Sequence, residues 1–339
     1  MIKNRNIALD AAIDPNKILG GVGHLLRKDA KMIFVDGDSG DDSASGRTVG
    51  TAKATIQGGV DAASAYGVVK VFPKKITDYT GDPTSYAETV IIPYSAVGLT
   101  LSGVDTGRTQ GGLPQIKKGS GATAHITVRA PGVLIENMGI NGISATGGGI
   151  LLDDDYAAKS AFGTTIRNCH IKNCVGSTAT NGLTGGGIMW SAEGNAWQTS
   201  IVGNMFYKNV ADIVLMGTSN TRPQDILIQG NEFKSAVTSA CDGNILCGGS
   251  GFQTITIDSN VFGDLPALGS GTNVLYMDLT GTLGGMVSNN IFGCEANATG
   301  TALTFKAAGT GANIPTTVYF CNNVGQSITD GESGELSIA

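Results

Sequence analysis

A short apolar run broken by asparagine recurs along this chain: VLIENMGI, TIRNCHI, SIVGNMF, ILIQGNEF, ITIDSNVF, MVSNNIF and VYFCNNV. Taking Asn137, Asn168, Asn204, Asn231, Asn260, Asn290 and Asn323 as equivalent gives successive spacings of 31, 36, 27, 29, 30 and 33 residues. A unit this short cannot bury its apolar face alone, so it must stack on its neighbours. A second series keeps the same step: GGILLDD, GGIMWSA, DIVLMG, NILCGG, NVLYMD and ALTFKA, aligned on Ile150, Ile188, Ile213, Ile245, Val274 and Leu303. Two interleaved series with one shared period predict two strands per repeat, with loops absorbing the drift.

Propeller blades need a longer period and antiparallel hairpins, and leucine-rich repeats need a denser leucine framework. The best fit is an all-β parallel β-helix of roughly 30 residues per coil. Stacked coils advance about 4.8 Å, so equivalent residues form straight columns. Asparagine tolerates the left-handed backbone of a tight bend, and stacked amides bond from coil to coil, so the seven asparagines are expected to form a structural ladder. Two residues on, Phe206, Phe233, Phe262 and Phe292 are expected to stack as an aromatic column. His170 lies two residues after Asn168 and is assigned to the same column.

Composition agrees with many short strands joined by turns: 51 glycines in 339 residues, 41% hydrophobic and only 15% charged. The N-terminal half alternates apolar and polar residues in YGVVKVFP, ETVIIP, LTLSG and HITVRA, as half-buried strands do. Within Thr51 to Gly67, the spacing of Ile56, Val60 and Ala63 predicts one amphipathic helix covering the open end of the solenoid. The expected organisation is an off-period arm over 1–31, an opening strand and capping helix over 32–67, the β-helix over 68–325, and a tail or cap over 326–339.

The net charge of −6 provides no basic surface for nucleic acid or anionic membranes. The first residues contain no apolar stretch of the kind a secretory signal needs, so synthesis in a cytoplasm is expected. No apolar run reaches the length of a membrane span. The six cysteines at 169, 174, 241, 247, 294 and 321 are read as buried free thiols rather than a disulfide framework.

From Phe34 to Val104 the chain carries Val35-Asp36-Gly37, Gly40-Asp41, Gly46, Thr55-Ile56-Gln57, Asp61-Ala62-Ala63, Val69, Val71, Pro73, Tyr86, Glu88, Val90, Ile92-Pro93 and Leu99-Thr100-Leu101 with Gly103. This run resembles the opening of pectin-lyase-like right-handed β-helix proteins, and with its off-period arm the chain is most similar to their phage or viral structural members. The resemblance implies a homotrimeric virion component, a capsid decoration, head fibre or spike, that contacts other virion proteins through residues 1–31. It leaves a second class open, a polysaccharide lyase or glycoside hydrolase such as a tailspike enzyme, and with it a glycan-binding module without turnover.

Chemistry is thinly encoded. The polygalacturonase-like members' Gly-His-Gly and Arg-Ile-Lys elements are missing, and His24, His125 and His170 are the only histidines. Asp153 and Asp155 precede Glu193 by roughly one coil, and carboxylates from neighbouring coils reach glycosidase-like separations; no arginine falls beside them in the aligned columns. Trp190 and Trp197 are the only tryptophans and the candidate sugar platforms. No cofactor is expected; calcium is the one ion with ligands on offer, in Asp36, Asp38 and Asp41 of DGDSGDD, a loop that reads equally as a polar turn.

Overall fold

The computed structural model describes residues 30–77, 84–104, 107, 112–117, 124–142, 148–156, 159–174, 186–191, 196–215, 222–234, 243–247, 251–263, 275–292, 315–326 and 333–336. The strands of these residues form a right-handed parallel β-helix with three sheets running its length. In one representative coil, Ser200–Val202 lies in the first sheet, Met205–Tyr207 in the second and Ala211–Leu215 in the third, before Ile226–Gln229 returns to the first. The coil therefore has three strands, not two. Each asparagine-centred motif is itself two strands, because a left-handed residue splits it at the corner between the first and second sheets.

That corner corrects the register of the asparagines. The column Asn137, Asn168, Gly203, Gly230, Ser259, Asn289 and Asn322 has positive φ, from 52° to 65°, so this is where the left-handed conformation sits. The ladder is the next column inward. It contains Asn204, Asn231, Asn260, Asn290 and Asn323, all essentially inaccessible. Asn137 and Asn168 belong to the turn column, and the corresponding ladder places are held by Met138 and Cys169, both fully buried.

Each central rung uses its whole bonding capacity. Asn231 Nδ2 donates to the Ile201 carbonyl (2.9 Å) and to Asn260 Oδ1 (3.0 Å), while its own Oδ1 accepts the backbone N–H and Nδ2 of Asn204 (2.9 and 3.0 Å). Asn260 and Asn290 repeat the arrangement. A buried amide is stable only when its donors and acceptors are matched, and here they are. At the other end Cys169 N–H donates to Asn204 Oδ1 (3.0 Å).

Beside the ladder, the core column of the second sheet runs Ile116, Ile140, Ile171, Phe206, Phe233, Phe262 and Phe292. The four rings stack nearly parallel at 4.9, 4.6 and 4.7 Å, with interplanar angles of 8–10°. His170 is not in this column. It pairs with Met205 on the neighbouring register, and Ile171 takes the place opposite Phe206. The core column of the first sheet runs Ile33, Val69, Leu101, Ile135, Ile166, Ile201, Ile228, Ile257, Val287 and Phe320. In the third sheet Ile150, Ile188, Ile213 and Ile245 are followed by Met277, so Val274 is not their equivalent; Val274 and Leu303 lie outside the described residues.

One helix, Ile56–Ala62, covers the N-terminal coil and is shorter than the Thr51–Gly67 segment; Ala63 already has extended backbone at its C-cap. Thr55 accepts from the Gly58 N–H, and the Glu88 carboxylate accepts from Ile56 and Gln57 N–H (2.8 and 2.9 Å), satisfying donors that a helix start leaves orphaned. Gly59 lets the helix lie close to the first coil: a Cβ there would sit 2.5 Å from Val35 Cγ2. At the other end Ser333–Leu336 pairs antiparallel with Asn323–Gln326, occupying an edge that would otherwise be open. Residues 1–29 of the expected arm lie outside the described residues. No helix among the described residues is long and apolar enough to cross a membrane.

Candidate functional site

The corner where the third sheet turns back into the first is where chemistry-bearing side chains gather. Arg129 follows the strand Ala124–Val128 and Asp153 follows Gly148–Leu152, one coil on. Their side chains meet, Arg129 Nε to Asp153 Oδ2 at 3.1 Å, with both partly exposed. An arginine thus stands beside the acid, contrary to the column alignment, because this coil is only 24 residues long from Arg129 to Asp153.

The same corner carries an aromatic ridge. Tyr66, Gly98, Gly132, Gly163, Gln198 and Asp225 all have positive φ and form its turn column, linked by bonds such as Gly163 N–H to the Trp197 carbonyl (2.8 Å). Trp197 sits one place before Gln198, 38% exposed, with its ring 5.4 Å from Phe162. An exposed tryptophan braced by a second ring is the form of platform that sugar rings stack on.

Trp190 is not part of that surface. It occupies the inward column Val128, Leu152, Trp190, Leu215 and Cys247 of the third sheet, is fully buried, donates Nε1–H to the Ala196 carbonyl (3.2 Å) and meets Phe252 edge-on. The expected stacking of Asp155 on Glu193 involves a residue outside the described ones. The Asp155 backbone belongs to a two-stranded antiparallel hairpin, Asp154–Tyr156 against Lys159–Ser160, apart from the three parallel sheets. Glu193 lies outside the described residues.

The DGDSGDD loop is held by its own carboxylates. Asp36 accepts from the N–H groups of Asp38 and Ser39 and from the Ser39 hydroxyl, Asp38 from Lys75 N–H, and Asp41 from the N–H and hydroxyl of Ser43. Burial alone would raise the Asp36 carboxyl, but these bonds and the Lys75 charge hold it below its ordinary range; for Asp41 the Ser43 bonds dominate and lower it. Such oxygens order the turn. Among the described residues no three His, Cys, Asp or Glu side chains converge as metal ligands would.

Two further polar sets run along the outer face of the first sheet, one position from its core column. Lys70 donates to Ser102, Ser102 to Glu136, and Arg167 binds Glu136 through Nε and Nη2 (2.9 and 2.7 Å). Burial pushes the Glu136 carboxyl up, yet the bonds from Arg167 and Ser102 prevail and it is lowered overall. Farther along, Asp258 accepts from Asn289, Gln229, Ser259 and Ser288, and these bonds bring its pKa down to about 2. A carboxylate so stabilised is a poor proton carrier at neutral pH.

No protein-family model matches the chain, and no curated protein matches it in sequence. Among solved structures it is similar to Escherichia coli YbhC, at 14% identity over 88% of this chain and 86% of that one, with a TM-score of 0.49. It is also similar to the GH136 lacto-N-biosidase from Eubacterium ramulus (10% identity, 86% and 67% covered, TM-score 0.43) and to pectate lyase Pel9A (12%, 86% and 74%, TM-score 0.43). Residue roles in this chain rest on its own geometry.

That geometry also shows what the sequence did not single out. Arg129 and Phe162 complete the corner. Inside the solenoid Asp212, fully buried, accepts from Asn209 Nδ2 (2.8 Å) and Asn244 Nδ2 (2.7 Å), and Asn209 Oδ1 accepts the Cys174 N–H, a second and shorter amide stack between the second and third sheets.

Proposed function

We propose that this chain is a structural protein of a phage-like particle, a β-helical homotrimer that decorates a capsid or forms a short fibre or spike, held to other virion proteins by residues 1–31. One observation supports assembly above all. On the outer face of the second sheet the register column continues from Glu232 into Val261, Ile291 and Val324, three β-branched residues in successive coils that are 39, 51 and 44% exposed. An apolar line parallel to the solenoid axis is costly in water and is what a rotation axis running alongside the solenoid would bury, the same line meeting itself from each copy. The stacked ladder, rings and engaged carboxylates suit a rod that bears load.

The mass of the purified assembly tests the reading: a trimer is expected, and a monomer at micromolar concentration would overturn it. Removing residues 1–31 is expected to abolish attachment to particles while leaving the β-helix folded.

A second reading, glycan engagement with or without cleavage, is favoured by the Phe162–Trp197 ridge beside the Arg129–Asp153 pair. A panel of acidic and bacterial surface glycans, scored for binding and for released reducing ends or unsaturated uronates, distinguishes it from a purely structural role.

A further inference from the structure

The outer face of the first sheet holds a second surface suited to a ligand, one coil beyond the Trp197 ridge. A groove of about 470 Å3 is lined by Asp225, Leu227, Thr254, Thr256, Gly285 and Met286. It exists because a wall stops. Asp225 and Thr254 stand one place before the paired residues Ile226 and Ile255, and in the next coil that place is Gly284, beside Gly285. Gly284 has no side chain at the place where the neighbouring coils carry Asp225 and Thr254, which opens the face there, while Gly285 continues the inward column of Ile226 and Ile255, both 1% exposed. The volume falls within the range of small-ligand clefts.

The lining has a definite chemistry. The Thr254 hydroxyl donates to Asp225 Oδ1 (2.9 Å) while accepting from the Asp225 N–H (2.7 Å), which fixes the exposed carboxylate at the rim. Thr256 offers a hydroxyl that no hydrogen bond within the described residues uses. Leu227, Thr256, Met286 and Tyr319 form one outward column over four coils. Its last member, Tyr319, is 77% exposed, the most exposed large hydrophobic of the described residues. The fold gains little from a tyrosine so placed. A carboxylate and a hydroxyl on one wall, an apolar floor, and an aromatic ring at the end match the two faces of a pyranose, which presents hydroxyls at its edge and C–H groups above and below.

We infer that this groove binds a neutral oligosaccharide, lying along the solenoid axis with its hydroxyls on Asp225 and Thr256 and a ring face on Met286 and Tyr319. Coils advance about 4.8 Å, close to the advance of one sugar along an extended chain, so successive rings meet successive coils. Neutrality follows from charge: among the described residues Asp225 is the one charged residue lining the groove, and the whole chain stands at −6, so an acidic glycan would be repelled. The inference extends the glycan reading to a second surface, and Asp225 continues the turn column of Gln198 one coil beyond Trp197.

The test is calorimetric titration of the full chain with neutral hexose and N-acetylhexosamine tetrasaccharides, with polygalacturonate and sialylated glycans as acidic arms. A neutral member is expected to bind, and Tyr319→Ala and Asp225→Asn are each expected to weaken it by about tenfold, the size of one lost charge-assisted bond or ring contact. Thr256→Val, which keeps shape and removes the hydroxyl, is expected to weaken it less, with the melting temperature unchanged. Absence of binding by every neutral member overturns the inference, as does tighter binding of the acidic arms. Binding lost in Trp197→Ala but kept in all three groove variants also overturns it, and in that event leaves the corner reading standing.

Discussion

Asn231 donates its backbone N–H and one Nδ2 hydrogen to a single atom, Oδ1 of Asn260 one coil further on, at 2.9 and 3.0 Å. Because Asn260 in turn donates to the Ile228 carbonyl and to Asn290 Oδ1, removing its amide orphans the Asn231 N–H and the Ile228 carbonyl in the preceding coil and takes one of its two donors from Asn290 Oδ1 in the next. Asn260→Ala is therefore expected to destabilise the β-helix by about 3 kcal/mol, the penalty for several orphaned buried groups less some relaxation. Asn260→Asp should cost more, since a carboxylate cannot donate to Ile228 O or Asn290 Oδ1. Urea unfolding of both variants measures this; a loss below about 1 kcal/mol in either would show that the ladder is ornamental.

The thiols of Cys169, Cys174 and Cys247 are buried and free, and burial pushes all three up, Cys169 to about 12. A thiol that stays protonated is a poor nucleophile. Iodoacetamide applied to the native protein at pH 8, followed by peptide mass mapping, is expected to spare these three and to modify the partly exposed Cys321.

Much of the fold was legible because a solenoid repeats its solution. The ladder from Asn204 to Asn323 and the four stacked phenylalanines follow directly from spacing. The one-residue slip at Asn137 and Asn168 has a physical source: the left-handed turn place and the buried ladder place are adjacent and both favour asparagine, so residue type alone cannot separate them. Trp190 reads as a platform only if its column is ignored; Val128, Leu152 and Leu215 beside it mark that column as interior. Arg129 escaped because its coil is shorter than the mean period. The groove at Asp225 escaped because it opens where Gly284 lacks a side chain, and a missing side chain leaves no motif.

Asp258 carries the clearest pH signature. Its carboxyl titrates near 2 in the folded protein against an ordinary 3.8, owing to the Asn289, Gln229, Ser259 and Ser288 donors. A lowered folded pKa means stabilisation that is complete above about 4 and disappears as pH falls toward 2. Wild-type protein is expected to exceed Asp258→Asn in melting temperature at pH 5, by a modest amount because the site is open to solvent, and to lose that advantage by pH 2. An advantage that is constant over this range would refute the assignment.

The Arg129–Asp153 pair separates structure from catalysis. As a partly exposed pair it contributes about 1 kcal/mol or less, so Asp153→Asn and Arg129→Gln are expected to fold normally with a small fall in melting temperature. If the second reading includes cleavage, the same variants should lower glycan turnover by about a hundredfold or more, as loss of an acid–base group does, while leaving binding at the Trp197 ridge within about threefold. Unchanged turnover in both would exclude the pair from any reaction.

The apolar line on the second sheet gives the sharpest test of assembly. Val261, Ile291 and Val324 face outward, opposite the ring stack, so a polar substitution disturbs no core contact within the protomer. Ile291→Lys is expected to change protomer stability by no more than about 0.5 kcal/mol, the usual range for exposed positions. In a trimer built on this line, however, three lysines would be brought together around the axis, with like charges repelling in a desolvated interface. The variant should therefore sediment as monomer where the wild type sediments as trimer, with the same circular dichroism spectrum. Restoring an apolar residue with Ile291→Val should restore the trimer, which separates loss of the interface from loss of the fold. If Ile291→Lys remains trimeric, the contact between copies lies elsewhere on the solenoid and this line must serve another partner.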